Sequence, residues 1–148
     1  MLRADKNRIQ VGSFSNIQDR AVVSTVETLE SGLPASVEIG EYVTVGHGAV
    51  LTSCTVGNHV LIGQGAIVPE GCVIERHSTI AAGAVLLPDT LVPSGQLWAG
   101  NPAKFVRDLT AAEKADLERG AKSYADLSKQ HAEEFKPFGL AYQQAQQL

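Results

Sequence analysis

The stretch that decides the fold runs from Val56 to Trp98 and divides into sixes: VGNHVL, IGQGAI, VPEGCV, IERHST, IAAGAV, LLPDTL, VPSGQL and the opening W of the next. A large apolar residue heads every unit: Val56, Ile62, Val68, Ile74, Ile80, Leu86, Val92 and Trp98. Two positions earlier stands a smaller or neutral residue: Cys54, Val60, Ala66, Cys72, Ser78, Ala84, Thr90 and Gln96. Residues two apart on an extended chain share a face, so each unit turns one large and one small side chain inward. Gly, Asn, Pro and Asp fill the places between, where a strand has to bend. A repeat this regular reads as a β-solenoid in which three hexapeptides make one triangular coil. The fold class expected is mainly β, a parallel β-helix followed by a C-terminal α-helix.

Upstream, Val11, Ile17 and Val23 keep the beat, with Ile9, Ser15 and Ala21 at the small inward places. The segment ETLESGLPAS interrupts it, and Gly32 and Pro34 in a polar setting read as a loop thrown out from one corner. The beat resumes at Ile39, Val45 and Leu51, then shortens by one residue before Val56, a step that a corner can absorb. Counted this way the solenoid has a little over four coils. Met1 to Arg8 enter the repeat with no capping element, which exposes a strand edge; the expectation is that further N-terminal coils precede them.

Downstream, Gly100-Asn101 is turn chemistry and Pro102 lacks a ladder donor, so AGNPAKF is expected to end the solenoid. Thr110 to Glu113 has the form of a capping box. Leu117, Ala121, Tyr124, Ser128 and His131 recur at helical spacing, giving a helix from about Thr110 to Phe135 that lies along the solenoid wall and stops at Pro137 and Gly139. Charge density changes near Phe105: residues 1–105 hold 6 Lys+Arg and 9 Asp+Glu, residues 106–148 hold 6 and 7 in fewer than half as many positions. The domains expected are therefore a β-helix over 1–105 and a helix and tail over 106–148.

Composition excludes several classes. A chain of 148 residues supports one domain with an appendage, and a net charge of -4 gives no reason to expect a nucleic-acid partner. No apolar run reaches the length of about 18 residues that a membrane span needs. The opening MLRADKNRIQ lacks the apolar core of a secretory signal. Of the histidines, His47, His59, His77 and His131, none falls at a standard zinc spacing. His59 and His77 lie near corners and read as solvated or structural, and His131 as a packing residue of the helix. Cys54 and Cys72 stack one coil apart at inward positions, where Cβ atoms held a strand spacing apart suit two buried small hydrophobes better than a disulfide.

Several landmarks in series, LRADKNRIQVG, SNIQD, VTVGHGAVLTSCTVGNHVLIGQGA and SGQLWAGNPAKF, resemble in order the motifs of the γ-class carbonic anhydrase family, most of all its mitochondrial branch attached to respiratory complex I. The resemblance covers about Leu2 to Phe105, and the helix opening LTAAEK is similar to that branch's C-terminal extension. It implies a left-handed β-helix, assembly as trimers, and further coils upstream of Leu2. It also implies zinc at each subunit interface, held by three histidines: one five residues after N-I-Q-D, and two in a G-H-x4-H motif. Here the first position is Ser24, the second is His47, and the third is Thr52. Lys6 also departs from the acidic residue found after the R-x-D pair in archaeal-type members.

Two of three ligands are thus replaced by hydroxyls. A catalytic zinc needs about three protein ligands and one open position to make water a nucleophile near neutral pH. No catalytic residue and no cofactor held by this chain alone are therefore expected. In the resembled enzymes the middle histidine acts across the interface, so the resemblance implies that His47 could complete a zinc site whose other two ligands belong to a different γ-type subunit. Arg3 and Asp5 match the R-x-D pair, and Asn16, Gln18 and Asp19 the polar segment beside the site; all five are expected at the subunit interface. The function implied is a noncatalytic assembly subunit of a heterotrimer of γ-carbonic-anhydrase-like chains. Its partners would be membrane-arm subunits of mitochondrial NADH dehydrogenase (complex I), on the matrix side of the inner membrane. The alternatives are an anhydrase active only through composite zinc sites, and a hexapeptide-repeat acyltransferase, in which GNPAK would bring Lys104 to a coenzyme A phosphate.

Overall fold

Each hexapeptide makes a strand only two or three residues long before its turn, and the computed structural model, which describes residues 1–146, stacks these strands into five coils. The first coil holds β1 (Leu2–Arg3), β2 (Ile9–Val11) and β3 (Asn16–Ile17), and the second β4 (Val22–Ser24), β5 (Val37–Ile39) and β6 (Thr44–Val45). The third holds β7 (Val50–Thr52), β8 (Thr55–Val56) and β9 (Leu61–Ile62), and the fourth β10 (Ile67–Val68), β11 (Val73–Ile74) and β12 (Thr79–Ile80). In the fifth the first side shrinks to a bridge from Val85 to Ile67, followed by β13 (Leu91–Val92) and β14 (Gln96–Gly100). The first face is β1-β4-β7-β10, the second β2-β5-β8-β11-β13, and the third β3-β6-β9-β12-β14, all parallel. This is the left-handed β-helix expected, with one coil side more at its start. Leu2 pairs with Val23 ahead of the first residue at which the beat is audible, so the count of a little over four coils was short.

The inward columns form the core. Val23, Leu51, Val68 and Leu86 line one face, Val37, Ile39, Val56, Ile74 and Val92 the next, and Val45, Ile62 and Ile80 the third, all buried. Each contributes on the order of 1.5–3 kcal/mol, realised only because coils above and below exclude water. At the first coil that exclusion fails, and Leu2 and Val11 are 55% and 38% exposed. Ser78, the polar member of a small inward column, is buried and donates to the Pro93 carbonyl at 2.9 Å. Cys54 and Cys72 are buried and unlinked, and burial pushes their thiols up to about 12 and about 11. Neither offers the thiolate that nucleophilic or metal chemistry needs.

The corners carry the left-handed turns. In the third coil the five-residue step is closed by Ser53 at φ 39°, whose hydroxyl donates to the Ala35 carbonyl at 2.6 Å and accepts from the Val26 amide at 2.8 Å. One side chain thus absorbs the irregularity and pins both ends of the 27–36 loop. Elsewhere the coils approach so closely that only glycine fits. A Cβ on Gly63 would lie 2.4 Å from the Ala82 amide nitrogen.

Residues beyond Trp98 do not simply leave the solenoid. After a turn at Asn101 and Pro102 the chain doubles back as β15 (Ala103–Asp108), antiparallel to β14. Pro102 needs no ladder bond because it sits in the hairpin turn itself, and Ala103 donates to Val85 at 2.8 Å. The strand runs across Phe105. The helix α1 (Ala111–Gln146) follows, opened by the expected capping box: the Glu113 amide donates to the Thr110 hydroxyl and the Thr110 amide to the Glu113 carboxylate, each at 3.2 Å. It continues through Pro137 and Gly139, where it was expected to stop. Its packed side follows the expectation at Ala121 and departs from it at Tyr124. Ala121 is fully buried, whereas Tyr124 and Leu127 are 42% and 45% exposed. A methyl side chain at Ala121 lets the helix approach the wall, which the bulk of Tyr124 could not. The side chain of His131 lies outside the described residues.

Candidate interface site

Strand register brings Arg3, Ser24 and Thr52 into one column on the outside of the first face. Alternation makes this inevitable: Leu2, Val23 and Leu51 point inward, so their neighbours point out. The Ser24 and Thr52 hydroxyls stand 3.4 Å apart across adjacent coils. Two side chains at these positions on one chain could therefore converge on a common ion. Hydroxyls, neutral and weakly basic, are poor ligands for zinc compared with imidazole.

His47 is not part of that pair. It is exposed at the corner between β6 and β7, at the opposite end of the strand from Thr52. The corner turn from Gly46 to Ala49 and then the length of β7 separate the two, on the order of 10 Å of strand, whereas the donor atoms of one zinc lie within about 4 Å of each other. One chain cannot bring all three positions to one ion. Among the described residues no group of three His, Cys, Asp or Glu side chains could hold a metal, and Ser24, Thr52 and the distant His47 do not together fit a zinc site within one chain.

The polar segment expected beside the site forms a network of its own. Asn16 donates to the Thr44 hydroxyl at 3.1 Å and receives a bond from Gln18 at 3.2 Å. Asp19 is exposed, and its carbonyl accepts from Gly48 at 3.0 Å, which sets it beside the His47 corner. Arg3 and Asp5 form an exposed ion pair at 3.0 Å within the chain, and the hydrogen bond from Arg3 holds the Asp5 carboxyl below its usual range. Between the Ser24 and His47 ends, Val22, Val50, Ile67 and Val85 form a row one residue along from the core column. Ile67 is 40% exposed. The first face thus offers an apolar row flanked by polar groups and an exposed imidazole.

A second cluster escaped sequence reasoning. Phe14, Tyr42, His59 and His77 occupy equivalent corners between the second and third faces and stack ring on ring at 5.1, 5.0 and 4.8 Å. The signal was present: each immediately precedes a small inward residue, namely Ser15, Val43, Val60 and Ser78. Lys122 of α1 lies 5.8 Å over the Tyr42 ring, and Glu118 lies 3.7 Å from Nε2 of His59.

Comparison with known proteins agrees with this architecture. Residues 53–88 match the family described as bacterial transferase hexapeptide (six repeats). The chain is 45% identical over 134 residues to γ carbonic anhydrase 2, mitochondrial, of Arabidopsis thaliana, covering 90% of this chain and 48% of that protein. It is 41% identical over 142 residues to γ carbonic anhydrase-like 1, mitochondrial, of the same plant, covering 96% and 56%. The chain spans about half the length of these relatives. The crystal structure of a hexapeptide transferase family protein from Anaplasma phagocytophilum superimposes with a TM-score of 0.79 at 42% identity, over 86% of this chain and 72% of that one. The chain belongs to the hexapeptide-repeat family, in the group that contains the mitochondrial γ carbonic anhydrases and γ carbonic anhydrase-like proteins.

Proposed function

We propose that this chain is a noncatalytic assembly subunit of a heterotrimer of γ-carbonic-anhydrase-like chains, carried by mitochondrial complex I on the matrix side of the inner membrane. The observation that carries the proposal is the paired Ser24 and Thr52 hydroxyls, standing where two ligands of a zinc-binding relative are expected, with His47 at the far end of the same face. The fold is kept, the outer face is kept, and the ligand set is not. The mitochondrial names of the relatives support the compartment, and among the described residues no helix is long and apolar enough to cross a membrane. Attachment would then run through other subunits.

In such an assembly His47 is this chain's one contribution to metal chemistry. Presented at an exposed corner, it can meet two histidines of a neighbouring subunit but not its own chain's first and third positions. Zinc held by such a set supplies Lewis acidity that brings the pKa of water to about 7. The reciprocal interface, which offers Ser24 and Thr52, remains without metal. Arg3, Asp5, Asn16, Gln18 and Asp19 serve contact and orientation. The test is a reconstituted heterotrimer in which zinc is counted with native chain and with His47→Ala. Loss of one zinc per trimer is the expected result; an unchanged count removes His47 from the metal site.

A further inference from the structure

The contact between α1 and the solenoid thins along its length. At its start the helix is pinned: Arg107 grips Glu113 at 2.6 and 2.8 Å, and Leu109, just before the first turn, is buried. A two-pronged guanidinium–carboxylate pair fixes direction as well as distance. Beyond that turn the helix follows the corner column of rings in steps of four residues, Lys114, Glu118 and Lys122. Each step rises about 6 Å, against roughly 4.8 Å between coils, so successive side chains meet successive rungs.

The rungs hold it progressively less. Gly95 takes the place in the column above His77, and the end of Lys114 lies over it, where a Cβ would meet Cε and Nζ at 3.1 Å. Lower down, Glu118 stands 3.7 Å from Nε2 of His59, beyond hydrogen-bond reach. At the next rung Lys122 is 5.8 Å from the centre of the Tyr42 ring and pairs instead with Glu118 of its own helix at 3.2 Å. Apolar cover fades in the same direction. Leu117 and Ala125 are half-buried and Ala121 is the one fully buried helix side chain among those described, while Tyr124, Leu127, Ser128 and Lys129 are exposed. The gap beside the first turns, lined by Leu61, Leu97, Arg107 and Leu117, holds about 370 Å³, and that between residues 13–19 and 124–129 holds about 860 Å³. The space under the helix widens away from the pinned end.

Segments with few buried apolar contacts open locally at little cost, and well-packed ones do not. We propose that α1 is a strap hinged at its capping box: residues 118–129 lift from the ring column as an intact helix while the first turn stays pinned. Lifting uncovers the edges of Tyr42 and His59 and opens the groove over Asn16, Gln18 and Asp19; closing narrows it. The motion needs no partner chain, so it stands apart from the assembly proposed above.

Spin-label distances on the full chain measure the lift directly, since Cys54 and Cys72 are buried and take no label. Labels at Ser13→Cys and Ser128→Cys flank the wide end of the gap, and those at Thr79→Cys and Asp116→Cys the narrow end. Labels at Ser123→Cys and Gln130→Cys, both exposed, lie two turns apart on the helix alone. The wide-end distance distribution is expected to be several-fold broader than the narrow-end one, with the within-helix pair narrow. Equal widths at the two ends overturn the hinge, and a broad within-helix pair overturns lifting in favour of unwinding. Glu113→Gln, which cuts the ion pair at the surface, should broaden the narrow-end distribution toward the wide-end one; no change there also overturns the proposal.

Discussion

Single residues set the spacing of the coils, and glycines show it most plainly. Gly63 has no room for a Cβ, since one would sit 2.4 Å from the backbone of the next coil. Gly48 has open space around it but takes φ +69°. The two positions fail for different reasons and by different amounts. Gly63→Ala forces neighbouring coils apart at a cost of roughly 1–3 kcal/mol, which thermal unfolding should register as a midpoint several degrees lower. Gly48→Ala pays only for the left-handed backbone, about 1 kcal/mol, as Arg20 already does in the same corner column at φ 63°. The reverse order of stability would mean that coil spacing is not the constraint. At the same scale, Ser24 and Thr52 sit on an intact strand column, and their hydroxyls pack as a pair beside the buried core residues Val23 and Leu51.

At the scale of elements, the hairpin and helix after Trp98 decide how the solenoid is closed. Arg107 on β15 makes a two-pronged ion pair with Glu113 in the first turn of α1, at 2.6 and 2.8 Å, so strand and helix are joined at the capping box. That guanidinium, together with the Thr110 amide, holds the Glu113 carboxyl down to about 2. A depressed carboxyl stabilises above its ordinary value of 4.5, and its contribution is lost as pH falls from there toward about 2. Thr110→Ala should therefore reduce helix stability by about 1 kcal/mol at neutral pH, and hydrogen exchange in residues 111–115 should accelerate. Because the Thr110 hydroxyl receives the Glu113 amide while the carboxylate receives the Thr110 amide, which alanine keeps, this effect should persist as Glu113 protonates, and an effect that vanished with that protonation would place the cap elsewhere.

What the chain order displays, and what it hides, also separates at this scale. The beat from Val56 to Trp98 is local, so inward columns, corners and the capping box could be read directly. The hairpin could not, because its strand Ala103–Asp108 carries exposed Phe105 and Val106 in no alternating pattern and is defined only by pairing with β14. The packed stripe of the helix was read in its first half and lost beyond Ala121. Ala121 lies on the wall as expected, but the contact runs on to half-buried Ala125 and leaves Tyr124 exposed. The stack of Phe14, Tyr42, His59 and His77 was hidden because its members stand a coil apart in sequence and touch only when the coils are closed.

For the whole molecule, the separation of positions on one face governs what the chain can do. Ser24 and Thr52 share one column and His47 is displaced to the far corner, so in the proposed assembly a complete site would be built between chains. On the proposed reading the molecule would donate one ligand outward while holding no metal of its own, which suits a subunit whose part is shape and contact. Zinc analysis of the isolated chain, after equilibration with excess zinc and removal of the free ion, tests this most directly. The account predicts far less than one zinc per chain and no acceleration of carbon dioxide hydration; a full equivalent of zinc retained with hydration activity would contradict it.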